Sequence, residues 1–543
     1  MNRPLTRSRL LRAATGGALA LALLPGQLLA ARTRAPHLFR IAVRNRGRRY
    51  LGDRRLFATV SPRVPGRDAA RVAFQLDRPG KVKLEALRVL RSIRPVWQVE
   101  YELGPGAHEL EWQPDPALSV GSYVMRLSVE DEGGLRRVYG GKRPSRADRS
   151  RTPVVRLLGV EGMFARRSYA AGETMQLTIT TDAKALSLEI LRCGTEDGFT
   201  DRNDEMRGLP VGPPVTLDWR RNRGRATTIA VPGGPWISGV YAARLTTDDG
   251  RVGFAPIVIR PPVLGTVREA VIMPTNTWQA YNFYDGNGDG WGDTWYAGGS
   301  PPVDLRRPYR QRGVPPWWRR YDVGFQRWLV STGRTPDQLA DDDLEAFPSG
   351  DELRKLYDLV VFPGHSEYMT QHAYDVVERY RDLGGRLIFL SANNFFWKVT
   401  KRGGVMRRAK RWRDLGRPEA RLCGVQYKAN DDGSRQGVYY VIDAGAAPWL
   451  FAGTGLENGM TIGEGVGGYG IEVDGTTPDS PPGTKVLALI PSLFGPGLHG
   501  EMAYYETEAG ARVFSAGVLD FCGSVVFWPQ RRLLENVWRH MRS

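Results

Sequence analysis

A strand–helix–strand pattern between residues 357 and 394 constrains the fold of this chain more than any other feature. The apolar run 359–362 is typical of a buried strand, residues 370–383 of an amphipathic helix that stops at a glycine pair, and residues 386–390 of a second buried strand. Such units almost always cross over with the right hand, so we expect the two strands to be parallel and adjacent.

Polar residues follow these strands at the same expected edge of the sheet. His365 and Glu367 come after the first strand and Asn393 after the second, while a third apolar run, 270–273, leads into the polar and aromatic stretch 274–282. A lone His-x-Glu pair is more often a solvated surface pair. Three strand ends that agree on one edge favour a functional crevice instead.

The region before residue 263 has an all-β pattern with an internal repeat. Residues 121–127 recur as 239–245, and residues 84–88 recur in the same order as 188–192. Two matched segments in one order imply two copies of a β-unit, and the late Gly-x-Tyr strand of each copy resembles immunoglobulin-like domains of bacterial surface proteins. We therefore expect two immunoglobulin-like β-sandwiches, at 36–140 and 153–262, with a basic linker between them.

Strands and helices alternate from residue 263 to the end of the chain. This pattern predicts an α/β domain over 263–543, of the class I glutamine amidotransferase-like or flavodoxin-like type, with a mainly parallel sheet. The predicted fold is thus multidomain, with two all-β sandwiches followed by one α/β domain.

The N-terminal segment 1–31 has the pattern of an export signal. Residues 1–12 carry arginines and no acidic residue, residues 13–31 are apolar, and small residues stand near Ala30. We expect export to the periplasm or the extracellular space, with an uncleaved membrane anchor as the alternative and no other membrane association.

Composition and spacing disfavour several other functions. The net charge is +18, but the arginines are scattered and do not form the concentrated stripe that nucleic-acid binding requires. The glycine-rich segment 463–468 matches a dinucleotide fingerprint by letter but precedes a strand-like stretch rather than a helix. Cys193, Cys423 and Cys522 lie far apart, so neither a zinc cluster nor a disulfide scaffold is encoded.

Residues 285–293 are spaced like the start of a calcium-binding loop. Asp285, Asn287, Asp289 and Asp293 supply carboxylate and carboxamide oxygens, with glycine at the sharp turn. The twelfth position is Tyr296 instead of the bidentate glutamate of an EF-hand. Calcium binding is one interpretation, and a glycine-rich loop stiffened by its own turn hydrogen bonds is the other.

Four motifs together resemble a known family. They are 276–282 (Asn-Thr-Trp-Gln-Ala-Tyr-Asn), 307–309 (Arg-Pro-Tyr), 364–368 (Gly-His-Ser-Glu-Tyr) and Asn393. Their order and approximate spacing look like the C-terminal domain of the N,N-dimethylformamidase large (beta) subunit family, and the resemblance covers roughly residues 155–543.

The resemblance implies an iron site. In that family two tyrosines and one glutamate bind a single iron, which by motif position implies Tyr281, Tyr309 and Glu367 as ligands of Fe³⁺. His365 and Asn393 are then the neighbouring polar groups. Phenolates and a carboxylate are hard, negatively charged donors that suit ferric iron and leave positions open.

The reaction implied by the resemblance is hydrolysis of a non-peptide, formamide-type C–N bond in a small amide. Iron polarises the carbonyl and activates water, His365 passes a proton to the leaving amine, and Asn393 donates to the developing oxyanion. Glu472 and Glu506 are candidates for the general base by residue type alone. A small partner subunit or a homo-oligomer is the expected assembly.

The chain also departs from the family pattern. Ser366 and Met369 stand where the family has an acid and a tryptophan, and the additional β-unit and export signal set this chain apart. The substrate therefore does not transfer from the family. Two alternatives stay open: a non-catalytic extracytoplasmic binding or surface protein, and a metal-free hydrolase that uses His365 and Glu367 as acid and base.

Overall fold

The computed structural model describes residues 34–141, 152–296 and 299–543. The predicted export signal and most of the predicted linker lie outside these residues. Within the described ranges, no helix is both long enough and apolar enough to cross a membrane.

The first part of the chain forms two sheets that share one hydrophobic core. One sheet has the strand order β1-β3-β6, and the other has the order β2-β9-β7-β4-β5 with β8 paired to β7. The strands are β1 (Leu38–Asn45), β2 (Phe57–Val60), β3 (Ala70–Leu76), β4 (Gly80–Val89), β5 (Ile93–Leu103), β6 (Gly106–Trp112), β7 (Gly121–Glu130), β8 (Arg136–Tyr139) and β9 (Val154–Leu157).

The second part repeats this plan around a separate core. Its sheets have the orders β10-β12-β16 and β11-β18-β17-β13-β14, with β15 paired to β13. The strands are β10 (Val160–Phe164), β11 (Ser168–Ala170), β12 (Met175–Thr181), β13 (Ala185–Arg192), β14 (Leu209–Pro210), β15 (Val215–Asp218), β16 (Thr227–Val231), β17 (Gly239–Thr247) and β18 (Val252–Arg260).

The internal repeat is confirmed by strand register. In the first copy Leu84 pairs with Leu127, and in the second Leu188 pairs with Leu245. The tyrosine of each copy donates a hydrogen bond to the carbonyl four residues upstream, at 2.6 Å from Tyr123 and 2.7 Å from Tyr241. The repeated letters therefore encode the same strand pair twice.

The third part contains the remaining strands and the helices. They are β19 (Glu269–Met273), α1 (Thr275–Ala280), β20 (Val303–Asp304), α2 (Trp318–Tyr321), α3 (Val323–Ser331), β21 (Asp337–Ala340), α4 (Asp341–Leu344), α5 (Gly350–Leu356), β22 (Leu359–Phe362), β23 (Tyr368–Thr370), α6 (Gln371–Asp382), β24 (Arg386–Phe389), β25 (Trp397–Arg402), β26 (Val405–Arg411), α7 (Ala420–Cys423), β27 (Gln426–Asn430), β28 (Gln436–Gly437), β29 (Tyr439–Val441), α8 (Pro448–Phe451), β30 (Thr461–Ile462), β31 (Tyr469–Gly470), β32 (Glu472–Gly475), β33 (Lys485–Ile490), β34 (Gly500–Glu506), β35 (Arg512–Ser515), α9 (Phe521–Ser524) and α10 (Gln530–Arg542).

The main sheet of this part is mixed. Its order is β21-β19-β22-β24-β35-β34-β33-β29-β30. The pairings from β21 to β35 are parallel, which confirms the adjacent parallel strands predicted for 359–362 and 386–390. The pairings from β35 to β30 are all antiparallel.

The predicted fold class of immunoglobulin-like sandwiches followed by a flavodoxin-like or glutamine amidotransferase-like α/β domain is wrong. Strands make up 38% of the structure and helices 15%, so the protein is mainly β, with many mixed sheets and no clear mainly parallel domain among the described residues. The physical reason lies in the connections. Only residues 507–511 join β34 to β35, which is too short for the crossover that a parallel pair requires.

Two hydrophobic clusters cover the two faces of the mixed sheet. Along β19, Val271 and Met273 face one cluster with Trp328 of α3, whereas Ala270 and Ile272 face the other with Val377 of α6. Buried on both faces, the parallel strands need continuous apolar runs, which explains their pattern in the sequence.

We expect Phe389→Ala to lower the free energy of unfolding by about 3–5 kcal/mol. Phe389 is fully buried, and its ring stacks on Phe362 at 5.2 Å between centroids and meets Phe395 at 5.6 Å. Urea denaturation followed by tryptophan fluorescence measures the loss. Val138→Ala, at a position that is 49% exposed, should change the midpoint little, and equal losses for both variants would contradict this assignment of the core.

Candidate functional site

The site lies where β19, β22 and β24 end. After β22 the chain continues through Pro363 and Gly364 to His365 and Glu367, while β19 leads through α1 to Tyr281. The Glu367 amide donates to Thr277 Oγ1 at 3.2 Å, and its carbonyl accepts from the Trp397 amide at 2.9 Å. These bonds tie the Glu367 loop to both neighbouring strand ends.

Two tyrosines contact Glu367. The hydroxyl of Tyr281 donates a hydrogen bond to Glu367 Oε2, and the ring of Tyr368 lies 5.9 Å from that of Tyr281 at 88°. Hydrogen bonds from both phenols act on the Glu367 carboxylate. The structure thus brings together one carboxylate and two phenol oxygens, which we call the Tyr–Glu–Tyr cluster (Tyr281, Glu367, Tyr368).

His365 lies between two carboxylates. Its Nε2 is 3.6 Å from Glu367 Oε2 and 3.3 Å from Glu472 Oε2. Glu472 begins β32, whose position beside the end of β35 is set by backbone bonds from Leu519 to Glu472 and from Asp474 to Gly517. The predicted residues His365, Glu367 and Glu472 are therefore neighbours in space.

Burial dominates the electrostatics of this group. Burial alone would lower the pKa of His365, but the carboxylates of Glu472 and Glu367 outweigh it and raise that pKa. Burial raises the pKa of Glu367, against the opposing charge of His365. Burial and then the Glu367 carboxylate raise the pKa of Tyr281 well above its ordinary value. The site therefore favours a bound cation or shared protons.

Asn393 occupies a strained position beside a buried acid. Its φ is 55°, in the left-handed region, and its amide donates to both oxygens of Asp474 at 2.8 and 2.9 Å. Burial raises the pKa of Asp474 to about 8, although the Asn393 amide opposes the shift. This geometry accounts for the Asn393 backbone; its predicted role as an oxyanion donor stays a prediction.

Asp322 is a further buried carboxylate that interacts with His365. Asp322 Oδ2 accepts from Trp278 Nε1 at 3.3 Å, and burial raises the pKa of Asp322 to about 8, with His365 opposing. Neither Asp322 nor Asp474 was predicted. Asp474 could have been predicted from the sequence, since Glu472 and Asp474 are two residues apart in a strand and so share a face. No sequence pattern pointed to Asp322.

Two other predicted residues have different surroundings. Tyr309 lies in a small cavity with Arg167, Arg307 and Gln279, and burial raises its pKa. Glu506 is exposed and accepts a hydrogen bond from Tyr504. Tyr368, rather than Tyr309, lies with Tyr281 at Glu367. The sequence feature that could have indicated Tyr368 is its position directly after Glu367.

The acidic loop 285–293 is engaged in its own turn. Asp285 accepts backbone N–H bonds from Gly288 at 2.8 Å and Gly290 at 2.9 Å, and Asp293 accepts from Gly286 and from the Asn287 side chain. Among the described residues, no group of three or more His, Cys, Asp or Glu side chains is arranged to hold a metal ion. Calcium binding stays a prediction.

A cavity of about 330 Å³ opens beside the cluster. Tyr281, Tyr296 and Trp317 form part of its wall. The Tyr281 and Tyr296 rings meet edge to face at 5.1 Å, so one phenol belongs both to the cavity and to the Tyr–Glu–Tyr cluster. Tyr281 is therefore the residue at which the cavity borders the cluster.

A buried set of oxygen donors beside a histidine and a small cavity makes this the candidate functional site of the chain. Residues 214–531 match the family described as N,N-dimethylformamidase beta subunit-like, C-terminal, and the chain belongs to this family. The match includes the Tyr–Glu–Tyr cluster, His365 and Glu472.

Two curated relatives are named N,N-dimethylformamidase beta subunit, one from Paracoccus aminophilus and one from Alcaligenes sp.. Each is 26% identical over 298 residues, covering 45% of this chain and 39% of the relative. The chain thus spans well under half of their length. A solved alpha-2-macroglobulin from E. coli aligns with 41% of this chain and 16% of its own at 11% identity, but its TM-score of 0.23 supports no argument.

We expect Gly364→Ala to destabilise the protein by about 1–3 kcal/mol through overpacking. An added Cβ would lie 2.7 Å from Asp322 Oδ1 and 2.9 Å from Pro274 Cγ. Gly465→Ala is the control, because an added Cβ there meets nothing within 4 Å. Thermal unfolding of the two variants measures the difference. Matching unfolding midpoints for the two variants would show that the Gly364 turn is not tightly packed.

Proposed function

We propose that this chain hydrolyses the C–N bond of a small, non-peptide amide at the Tyr–Glu–Tyr cluster, with a single ferric iron as cofactor. The observation that carries the proposal is the hydrogen bonding of Tyr281 and Tyr368 to Glu367, next to the His365–Glu472 pair. The names of the two relatives support the reaction type, and the dimethylformamidase resemblance supports the metal.

The residues present fit the metal. Tyr281, Glu367 and Tyr368 would hold it, since two phenol oxygens and one carboxylate form a hard donor set. This set is buried, and His365 is the neighbouring group that can supply a positive charge. When bound, ferric iron supplies a Lewis acid for the amide carbonyl. This assignment replaces Tyr309, which the resemblance implied, with Tyr368.

The chain's own residues handle the protons of hydrolysis. Glu472, with its Oε2 3.3 Å from His365 Nε2, takes a proton from the attacking water, and His365 gives one to the departing nitrogen. The products are a carboxylic acid and an amine. Because His365 is only 4% exposed, bulk water competes little for its proton.

The proposal also includes a cellular location and a partner subunit, each with its own support. The pattern of residues 1–31 supports export to the periplasm or beyond. The relatives are named as beta subunits, which supports a partner subunit for this chain as well.

Iron loading tests the metal and its ligands. After anaerobic incubation with ferrous iron and reoxidation, the full chain should retain iron and show a visible phenolate-to-iron absorption band. Tyr281→Phe and Tyr368→Phe should weaken the band and Glu367→Ala should lower the iron content, whereas Tyr309→Phe should keep both. If Tyr309→Phe loses the band and Tyr368→Phe keeps it, the second phenolate ligand is Tyr309, as the resemblance implies, and not Tyr368.

The outcome also separates the alternatives. A chain that stays colourless and iron-free and releases no amine from amides is the non-catalytic binding protein. Amine release that survives both iron removal and Tyr281→Phe identifies the metal-free hydrolase instead.

We expect His365→Gln to lower kcat by about 10²- to 10⁴-fold, the usual contribution of a general acid or base. Amine release from a panel of small formamides measures it. His372→Gln is the matched control, because His372 lies in α6 and its Nε2 contacts the Phe347 carbonyl at 2.8 Å. Equal kcat values for His365→Gln and the unmodified chain would remove His365 from the reaction.

A further inference from the structure

The cavity beside Tyr281 is walled partly by the first part of the chain. Strands β4 and β5 form a hairpin whose turn, residues 90–92, lies at this cavity together with Arg88, Arg91 and Arg94. Arg310, from the third part, lines the same cavity. Four arginines therefore line it, and no Asp or Glu is among the described lining residues.

Arg310 is buried and Arg88 is half-buried, and each has a buried guanidinium nitrogen without a hydrogen-bond partner among the described residues. Arg310 is 7% exposed, and its Nη2 has no hydrogen-bond partner among the described residues; the same holds for the buried Nε of Arg88. Burial, with the neighbouring charge of Arg88 as a further contribution, lowers the pKa of Arg310 to about 10. The guanidinium still carries its charge at neutral pH, and burying such a charge unpaired is costly.

The nearby acids are already engaged. Asp285 acts on Arg310 electrostatically, but its carboxylate accepts the N–H groups of Gly288 and Gly290. Asp432 is exposed and lies near the rim arginine Arg91. The charge of Asp285 partly compensates Arg310, but no ion pair among the described residues joins Arg88 or Arg310 to a carboxylate, so their guanidinium N–H groups are available to an anion from outside.

The hairpin is held firmly over the site. Leu87 and Val89 of β4 pack with Val124 and with Trp291, which lies in the acidic loop. Arg54 donates to the carbonyls of Asn287 at 2.7 Å and Gly288 at 3.1 Å. The acidic loop thus docks the first part of the chain against the third and fixes the arginines in place.

Arg91 also contacts an aromatic residue of the cavity lining. The Arg91 guanidinium stacks over the Tyr296 ring at 4.4 Å from its centroid, and Tyr296 in turn contacts Tyr281. A short chain of contacts therefore leads from the hairpin to the Tyr–Glu–Tyr cluster.

We propose that Arg88 and Arg310 bind a carboxylate of the substrate, so that the amide hydrolysed at the cluster is a small, carboxylate-bearing amide such as an N-acyl amino acid. The substrate identity rests on the proposed function, but the carboxylate site does not. Two arginine forks suit a carboxylate, which accepts paired N–H bonds. A cavity of about 330 Å³ suits a small molecule rather than a polymer.

The proposal assigns a role to the additional N-terminal part. Arg88, Arg91 and Arg94 precede residue 214, where the family match begins. The first part therefore determines which amides are bound, while the family segment supplies the chemistry.

Calorimetric titration of the full, iron-free chain tests the carboxylate site without turnover. N-acetylglycine and its neutral analogue N-acetylglycinamide are the two probes. We expect the acid to bind about 10- to 100-fold more tightly, the range for hydrogen bonds to charged groups. Arg88→Gln and Arg310→Gln should each abolish most of this difference, whereas Arg319→Gln, at an exposed position outside the cavity lining, should preserve it.

A stability measurement excludes unfolding as the cause. Because Arg310 is buried unpaired in the free protein, Arg310→Gln should unfold at the same or a higher temperature than the unmodified chain. Should Arg310→Gln fail to fold, Arg88→Gln, which is closer to solvent, provides the binding result on its own.

Hydrolysis assays then separate the two proposals. A higher kcat/KM for N-formylglycine than for N-formylglycinamide supports both. A binding preference for the acid without hydrolysis overturns the amidase and leaves the carboxylate site standing. Equal binding of acid and neutral probe, or a preference kept by both arginine variants, overturns the carboxylate site.

Discussion

The parallel pairing of β19, β22 and β24 is the constraint on which the site depends. Because neighbouring strands run in one direction, Tyr281, Glu367 and the Asn393 turn all follow strand ends at one edge of the sheet. The Glu367 amide donates to Thr277 Oγ1, and the Glu367 carbonyl accepts from the Trp397 amide, so both neighbours hold Glu367 in place. The antiparallel half of the sheet adds the last element, since β32 brings Glu472 and Asp474 against the end of β35.

Two opposite charge imbalances are buried side by side. Around His365 the structure gathers the carboxylates of Glu367, Glu472 and Asp474, and in the cavity that Tyr281 also lines it gathers the guanidinium groups of Arg88 and Arg310. Neither group neutralises the other through a direct ion pair among the contacts described. Each imbalance costs folding free energy, and the proposed function gives each a use: a cation or protons at the acids, an anion at the arginines.

Local patterns predicted part of this arrangement. The strand pair 359–362 and 386–390, the internal repeat, and the neighbourhood of His365, Glu367 and Tyr281 were all visible as hydrophobic runs, repeated letters and strand-end polar residues. The predicted parallel direction is wrong for the later strands, because an apolar run such as 485–490 indicates burial and not the direction of the neighbouring strand. Connection length, five residues between β34 and β35, was the better guide.

The sequence by itself determined the parallel strand–helix–strand unit, the repeated β-units and the residue types of the site, since these depend on contacts within a few dozen residues. Tertiary structure decided which phenol joins Tyr281 at Glu367, that the charge of His365 acts on Asp322, and that Arg88 and Arg310 line one cavity although more than two hundred residues separate them. Such partners are chosen by how whole sheets pack, and the physical reason is that burial and charge act through space, without regard to separation along the chain.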